Sequence, residues 1–448
     1  MEWLLERFAT RPDAPAFTHE GRRVTYGEVV ARVEALGIEL RARGVQPGET
    51  VAVLGDYSPE VVCLLLALAR NRNILIPLSR ESVIEVDTAL GISGCHWSAE
   101  FDAEDRTFTL SPRPVPSDNP LLETFRATGA PGLILFSSGS TGTPKGILHD
   151  FDRVAGKFRP ARQAVTAIPF LLMDHFGGIN TILAIASSLG HVVTVRSRSV
   201  ATICRAIQDY RVELLPTTPS FLTMLLASGA HHEYDLGSLK RITYGTEVMP
   251  QTTLDRLREA FPGVELQQTY GLSEVGVLRS QSRPDGSLWV RIGGEGFRTK
   301  VVDGTLWIQS DYRMVGYLNA PSKFDAEGWF DTQDRVEVDG DYFRILGRST
   351  DLINVGGQKV YPAEIEDVIL GLDNVVDAAV YGEPHPLLGH IVVAKVVLAH
   401  PEPALELKQR IRKACLATLA PFKAPTKVLV AEGPLHSSRQ KKLRQEFP

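Results

Sequence analysis

Short apolar runs alternate with helical periodicity through the first half of the chain, and this alternation constrains the fold more than any other feature. Between residues 26 and 44 the apolar side chains Val29, Val30, Val33, Leu36, Ile38 and Leu40 recur at helical spacing. Pro47-Gly48-Glu49 then makes a turn, and Val51-Ala52-Val53-Leu54 reads as a strand. Residues 59–70 are helical again, Ile74-Leu75-Ile76-Pro77 is a short strand, and the pattern returns through 133–136, 181–189, 192–195 and 214–216. Such alternation predicts an α/β fold with largely parallel sheets. The run 111–132 has no period and reads as a surface connection. Beyond about residue 285 the texture changes to strand-like runs with turns, such as Thr305-Leu306-Trp307-Ile308 and Tyr342-Phe343-Arg344-Ile345-Leu346. A break near Gly347-Arg348 divides the chain into residues 1–346 and a smaller, more basic part, 347–448.

Composition narrows the function. The 448 residues are 44% hydrophobic and 23% charged, the balance of a globular protein with ample core. A net charge of -5 offers no general attraction to nucleic-acid phosphates, so nucleic acid is not expected as a partner. Cys63, Cys95, Cys204 and Cys415 form no CxxC pair and imply neither a zinc site nor a disulfide framework. Glu2, Glu6 and Arg7 interrupt the apolar residues of the N-terminus, unlike a secretory signal, and a cytoplasmic location is expected. The longest apolar stretch, 61–69, falls short of the roughly 20 residues that cross a bilayer and reads as a buried helix.

The strand Leu133-Ile134-Leu135-Phe136 runs into Ser137-Ser138-Gly139-Ser140-Thr141-Gly142-Thr143-Pro144-Lys145-Gly146. Glycines let backbone N–H groups converge on anionic oxygens, hydroxyls donate further hydrogen bonds, and the lysine adds a point charge, so the loop suits a polyphosphate. It is not a Walker A loop, because Gly139 is followed five positions on by Pro144.

SSGSTGTPKG resembles the signature loop of the adenylate-forming superfamily: acyl-CoA and aryl-CoA synthetases, peptide-synthetase adenylation domains and luciferase. RVTYGEV and GVQPGETVAV near the N-terminus, Tyr270-Gly271-Leu272-Ser273-Glu274, Gly328-Trp329-Phe330-Asp331-Thr332-Gln333-Asp334 and Gly347-Arg348-Ser349-Thr350-Asp351 are similar to further motifs of that family, in order. The acyl-CoA synthetase branch is the nearest in pattern. The resemblance implies a large N-terminal domain of stacked sheets and helices with a small mobile C-terminal domain of α+β type. It implies ATP-dependent activation of a small carboxylic acid as acyl-AMP, with pyrophosphate release, then transfer to coenzyme A. A stand-alone enzyme that loads a phosphopantetheine carrier, with an acyl or peptidyl carrier protein as partner, is the alternative. A non-catalytic relative that only binds nucleotide is a third. The protein is expected to be a monomer or homodimer.

By the same resemblance Ser137, Ser140, Thr141 and Lys145 face the phosphates of ATP, Ser138, Gly139 and Gly142 belong to the same ATP-binding loop, and Glu274 holds Mg²⁺. Tyr270 lies by adenine, with Gly271 and Ser273 also binding the nucleotide, and the loop Gly245-Thr246-Glu247 resembles the family's adenine-edge loop. Asp334 accepts the ribose hydroxyls with Arg348 beside it, and Arg348 and Thr350 belong to the hinge. The ending 435–444 resembles PxTxxGKxxR, which makes Lys441 the catalytic lysine. Leu435 stands for the usual Pro and Gln440 for the Gly, so Lys442 remains open as the alternative. His175 and Gly178 satisfy HxxG, where the family's His gates the acyl pocket and contacts the reacting carboxylate. The neighbouring stretch is mostly apolar and predicts an apolar acyl or aryl acid. Asp174 beside His175 either faces solvent or pairs with a substrate amine, as in peptide-synthetase adenylation domains.

Overall fold

The computed structural model describes residues 1–82, 84–113, 119–137, 144–436 and 442. Its long apolar helix shows how sequence becomes architecture. Ser58 accepts a hydrogen bond from the Val61 amide, Pro59 occupies the first turn, and Pro59–Arg70 follows with every residue from Val61 to Ala69 buried. Burial on all sides places this helix in the interior, where each leucine stabilises the fold by about 1.5–3 kcal/mol.

Two seven-stranded sheets form the bulk of the larger domain. In one, Glu265–Gln268, Arg241–Tyr244, Leu214–Thr217, Thr166–Ala167, His191–Thr194 and Pro15–His19 are all parallel, and Arg22–Thr25 closes the edge antiparallel. In the other, Gly132–Ser137, Ile74–Leu78, Thr50–Leu54 and Trp97–Phe101 are parallel, with antiparallel Lys145–Asp150, Gly316–Tyr317 and Phe108–Pro112 at the flanks. The expectation of parallel sheets holds for these two. It does not hold later in the chain, where a six-stranded sheet contains only antiparallel neighbours. Asp303-Gly304 shows why: both residues have positive φ, 49° and 72°, the conformation of a two-residue hairpin turn, and the turn joins Phe297–Val302 to Thr305–Ser310.

The run 111–132 is not merely a surface connection. Asn119 accepts hydrogen bonds from the Leu121 and Leu122 amides, and Pro120–Arg126 forms a helix that buries Leu122 and Phe125. Seven residues span only two turns, too few to show a period.

The smaller domain has its own core, in which Ile365, Ile369, Val380, Val392, Ile411 and Cys415 pack beneath a sheet of Ile353–Val355, Gln358–Val360, Val375–His385, Gly389–Leu398 and Lys427–Val430. It meets the larger domain where the Thr252 amide donates to Asp367 Oδ1 at 2.8 Å. All four cysteines are buried and free. Among the described residues no helix is long and apolar enough to cross a membrane.

Candidate active site

The loop after Gly132–Ser137 returns as Lys145–Asp150, and Asn319 fixes the return from both sides. Its amide donates to the Pro144 carbonyl at 2.8 Å, and its Oδ1 accepts from the Gly146 amide at 3.0 Å. Lys145 is thereby held at a strand end, its ammonium 5.5 Å from the Tyr317 ring centroid. The Tyr317 hydroxyl donates to Glu274 Oε1 at 2.8 Å. Burial and the Glu274 carboxylate both raise this phenol's pKa, so it stays a donor. Ser137, Lys145, Glu274 and Tyr317 share the wall of one cavity of about 380 Å³.

A second wall comes from Tyr270, Gly271, Ser273, Gln333, Arg348 and Thr350. Behind it lies Asp334, almost fully buried, which accepts from the Tyr270 hydroxyl at 2.5 Å and faces Arg348 Nε at 3.5 Å. Burial raises the Asp334 carboxyl above the usual carboxylate range, and Arg348 and Tyr270 offset part of that rise. The carboxylate is aimed by its predecessor. Gln333 takes φ 61°, a left-handed conformation in which the family motif has glycine, and its amide donates to Asp331 Oδ1 at 2.8 Å. The turn therefore forms without glycine, at a cost of backbone strain.

Gly245 and Thr246 add a third wall. A Cβ on Gly245 would lie 2.4 Å from Thr269 Oγ1, so only glycine fits. Glu247 does not line the cavity. It accepts from the Ser220 hydroxyl at 2.7 Å and from the backbone amide of Lys442 in the smaller domain.

A fourth wall is built by the helix Phe176–Ser187. His175 caps it, its Nδ1 accepting from the Gly177 amide at 3.0 Å, which leaves Nε2 as the donor of the neutral imidazole. Gly177, Asn180, Thr181, Ala184 and Ile185 recur at helical spacing and line the cavity, with Leu171, Leu214, Pro216 and Val277 opposite. Gly178 turns away from it, and a Cβ there would meet the Leu172 carbonyl at 2.0 Å. Asp174 turns away as well. It is buried, accepts from the Ser79 hydroxyl at 3.0 Å and lies close to Tyr57 in a group that includes Arg198 and Asp56. Asp174 thus neither faces solvent nor lines the cavity.

Ser138, Gly139, Ser140, Thr141, Gly142 and Lys441 lie outside the described residues. Lys442 is described, and it is no solvated surface charge. Its ammonium sits 3.2 Å from Asp377 Oδ1 and donates to the Ala378 carbonyl at 2.7 Å. Burial raises the Asp377 carboxyl, but Lys442, His436 and the Ala378 amide outweigh it and hold the group below its ordinary range. His436 and Lys442 pair as an isolated antiparallel bridge.

Four nearby residues carry no motif. Asn180 faces the cavity, and its one sequence signal is a carboxamide, beside Thr181, on the lined face of a largely apolar helix. Lys157 lies behind it, donating to Asn180 Oδ1 and to the Val277 carbonyl at 3.3 Å. Tyr317 is the third. The fourth, His149, packs at a tilt against Phe176 with centroids 4.9 Å apart, and burial pushes its imidazole down to about 3, keeping it neutral.

The AMP-binding enzyme family matches residues 4–318, and its C-terminal domain matches residues 364–442. The chain is 28% identical over 437 residues to a feruloyl-CoA synthase of Amycolatopsis sp, covering 89% of this chain and 88% of that protein. It is also 28% identical to the fatty acid–[acyl-carrier-protein] ligase ScoC of Streptomyces coeruleorubidus, covering 97% and 93%. The fold matches the anthranilate CoA ligase AuaEII, solved with anthranoyl-AMP, at a TM-score of 0.84 and 19% identity, covering 99% of this chain and 95% of that one. With both domains matched in order, the chain belongs to the AMP-binding enzyme family.

Proposed function

We propose that the protein is an acyl-CoA ligase, which activates a carboxylic acid as acyl-AMP and then passes the acyl group to coenzyme A. One observation carries this reading: a single cavity is lined by Ser137 and Lys145, by Arg348 beside Asp334, and by the largely apolar face of Phe176–Ser187. A triphosphate, a ribose and an acyl body can therefore be held in contact. Adenylation needs no protein nucleophile, because the acid's own carboxylate attacks the α-phosphate as pyrophosphate leaves. The chain has to orient the reactants and neutralise charge. Lys145 supplies a cation at the phosphates, Asp334 accepts the ribose hydroxyls, and His175 Nε2 donates towards the acid. Lys441, beside the anchored Lys442, is the cation assigned to the transition state.

Glu274 is the carboxylate that would hold Mg²⁺, an ion that neutralises phosphate charge when bound. The fit is chemical: among the described residues no group of three or more His, Cys, Asp and Glu gathers anywhere, and Mg²⁺ at one carboxylate takes its remaining oxygens from phosphate and water. The domain junction falls at 347–350, with Arg348 and Thr350 as hinge residues. The ScoC relative supports an acyl carrier protein as a second acceptor. A cytoplasmic enzyme with a reduced interior fits the four free cysteines.

The test is pyrophosphate release from ATP with a panel of aryl and aliphatic acids, followed by thioester formation on adding coenzyme A. Acid-dependent release and a coenzyme A-dependent second step are expected. Pyrophosphate release that ignores the acid, or its absence with every acid, overturns the reading.

A further inference from the structure

Lys157 is a partly buried cation that meets no carboxylate among the described residues. Among the described residues its ammonium meets only the side-chain oxygen of Asn180, the main-chain oxygen of Val277 and the face of Phe158, whose centroid is 4.9 Å away. Arg162 approaches the same ring at 5.9 Å, and Arg279 lies near Arg162. None of these three cations makes an ion pair among the described residues, although the structure pairs more than a dozen other arginines and lysines. Burial and Arg162 together push the Lys157 ammonium down to about 7, the signature of a charge without compensation.

Both hydrogen-bond partners of Lys157 line the cavity. The bond to Asn180 also decides which way that amide faces. An ammonium only donates, so Asn180 must turn its oxygen to Lys157, and its NH₂ is left on the other side. That NH₂ meets no acceptor among the described residues. Asn180 sits on the lined face of Phe176–Ser187, one turn beyond the His175 cap, amid Leu171, Ala184, Leu214 and Val277. An apolar acid filling this region would leave donors and a charge unsatisfied, and leaving polar groups unpaired is what makes a site reject a ligand.

We propose that Asn180, oriented and polarised from behind by Lys157, recognises an acceptor oxygen on the body of the acid, and that this oxygen belongs to a second carboxylate. The inference rests on the adenylation reading and names its substrate class. The acid then has one carboxylate at the α-phosphate and an apolar spacer along Leu171 and Ala184. Its second anionic group meets the amide of Asn180 within the field of Lys157.

The experiment compares aromatic acids that differ in one substituent, methyl, hydroxyl or carboxylate, at the 3- or 4-position of benzoate and cinnamate, and reads kcat/KM for pyrophosphate release. In the wild type the best carboxylate isomer should exceed its methyl counterpart at least about tenfold, with hydroxyl between. Lys157→Met should bring the carboxylate down to the level of the hydroxyl. Lys157→Arg should keep the order, and Asn180→Leu should favour methyl. Methyl equal to or above carboxylate in the wild type overturns the proposal, as does hydroxyl above carboxylate, or an order that survives both Lys157→Met and Asn180→Leu. Calorimetric binding of the same acids separates the two readings. If no acid releases pyrophosphate, the adenylation reading falls, while the ranking by affinity still decides the second-carboxylate proposal.

Discussion

At the end of the cavity proposed for the nucleotide the acidic side chains have partners of complementary chemistry: Asp334 has Tyr270 and Arg348, and Glu274 has Tyr317. At the acyl end Lys157 has a neutral amide, a carbonyl and an aromatic ring. The first arrangement is preorganised, since each carboxylate is held in place before ATP arrives and little reorganisation is left for the reaction. The second is unfinished without an occupant. ATP is common to a whole family of reactions, so its half can be built once, whereas the acid is what distinguishes one member from another.

The strongest way to break the comparison is at the lysine assigned to the transition state. On the role proposed for it, Lys441→Ala should lower acyl-AMP formation by about 10²–10³-fold with ATP binding largely intact, as expected for losing a cation where charge develops. Lys442→Ala should cost far less activity and instead lower thermal stability, since it strips Asp377 of its buried ammonium. Rapid-quench measurement of acyl-AMP and a melting curve separate these outcomes, and the reverse pattern would move the catalytic role to Lys442.

Asp334→Ala comes next. Losing hydrogen bonds to a charged acceptor is worth about 1.5–3 kcal/mol, so KM for ATP should rise by roughly 10–100-fold. Preference over 2′-deoxy-ATP should vanish, and unchanged discrimination would remove Asp334 from the ribose.

The smallest effect sharpens the acyl side without any substrate. Lys157 titrates near 7 in the fold against 10.5 in the free side chain. Between those values the unfolded chain binds the extra proton, so this group makes stability rise with pH, and its penalty is fully present below about pH 7. Lys157→Met should therefore raise the melting temperature by a few degrees near pH 6.5, with the gain shrinking towards pH 9.5. A gain independent of pH would mean that packing, not charge, is responsible.

The sequence made the parallel core readable because its strands and helices carry their own punctuation, as at Ser58-Pro59. The ordered motifs that meet around the cavity were readable for the same reason, since each is a contiguous run. Asp174 shows the limit. It adjoins His175, yet the two side chains diverge, and no periodicity at a helix cap states which residue faces inwards. The Lys157–Asn180 pair joins residues 23 positions apart on separate elements, with no spacing rule to connect them. Lys442 in a basic tail gave no sign of burial, because its counter-charge Asp377 comes from a distant strand.

The anchoring of Lys442 has a consequence for how often the enzyme can cycle. Its ammonium is bound within the smaller domain, to Asp377 and Ala378, while only its backbone amide reaches across to Glu247. A swing of that domain would leave the ionic anchor and the His436–Lys442 bridge untouched, and at this point would break one hydrogen bond to a carboxylate, about 1.5–3 kcal/mol. Lys442 then travels with its ion pair intact, like a key that stays cut when it is withdrawn, and nothing about that anchor has to be rebuilt before the next acid is activated.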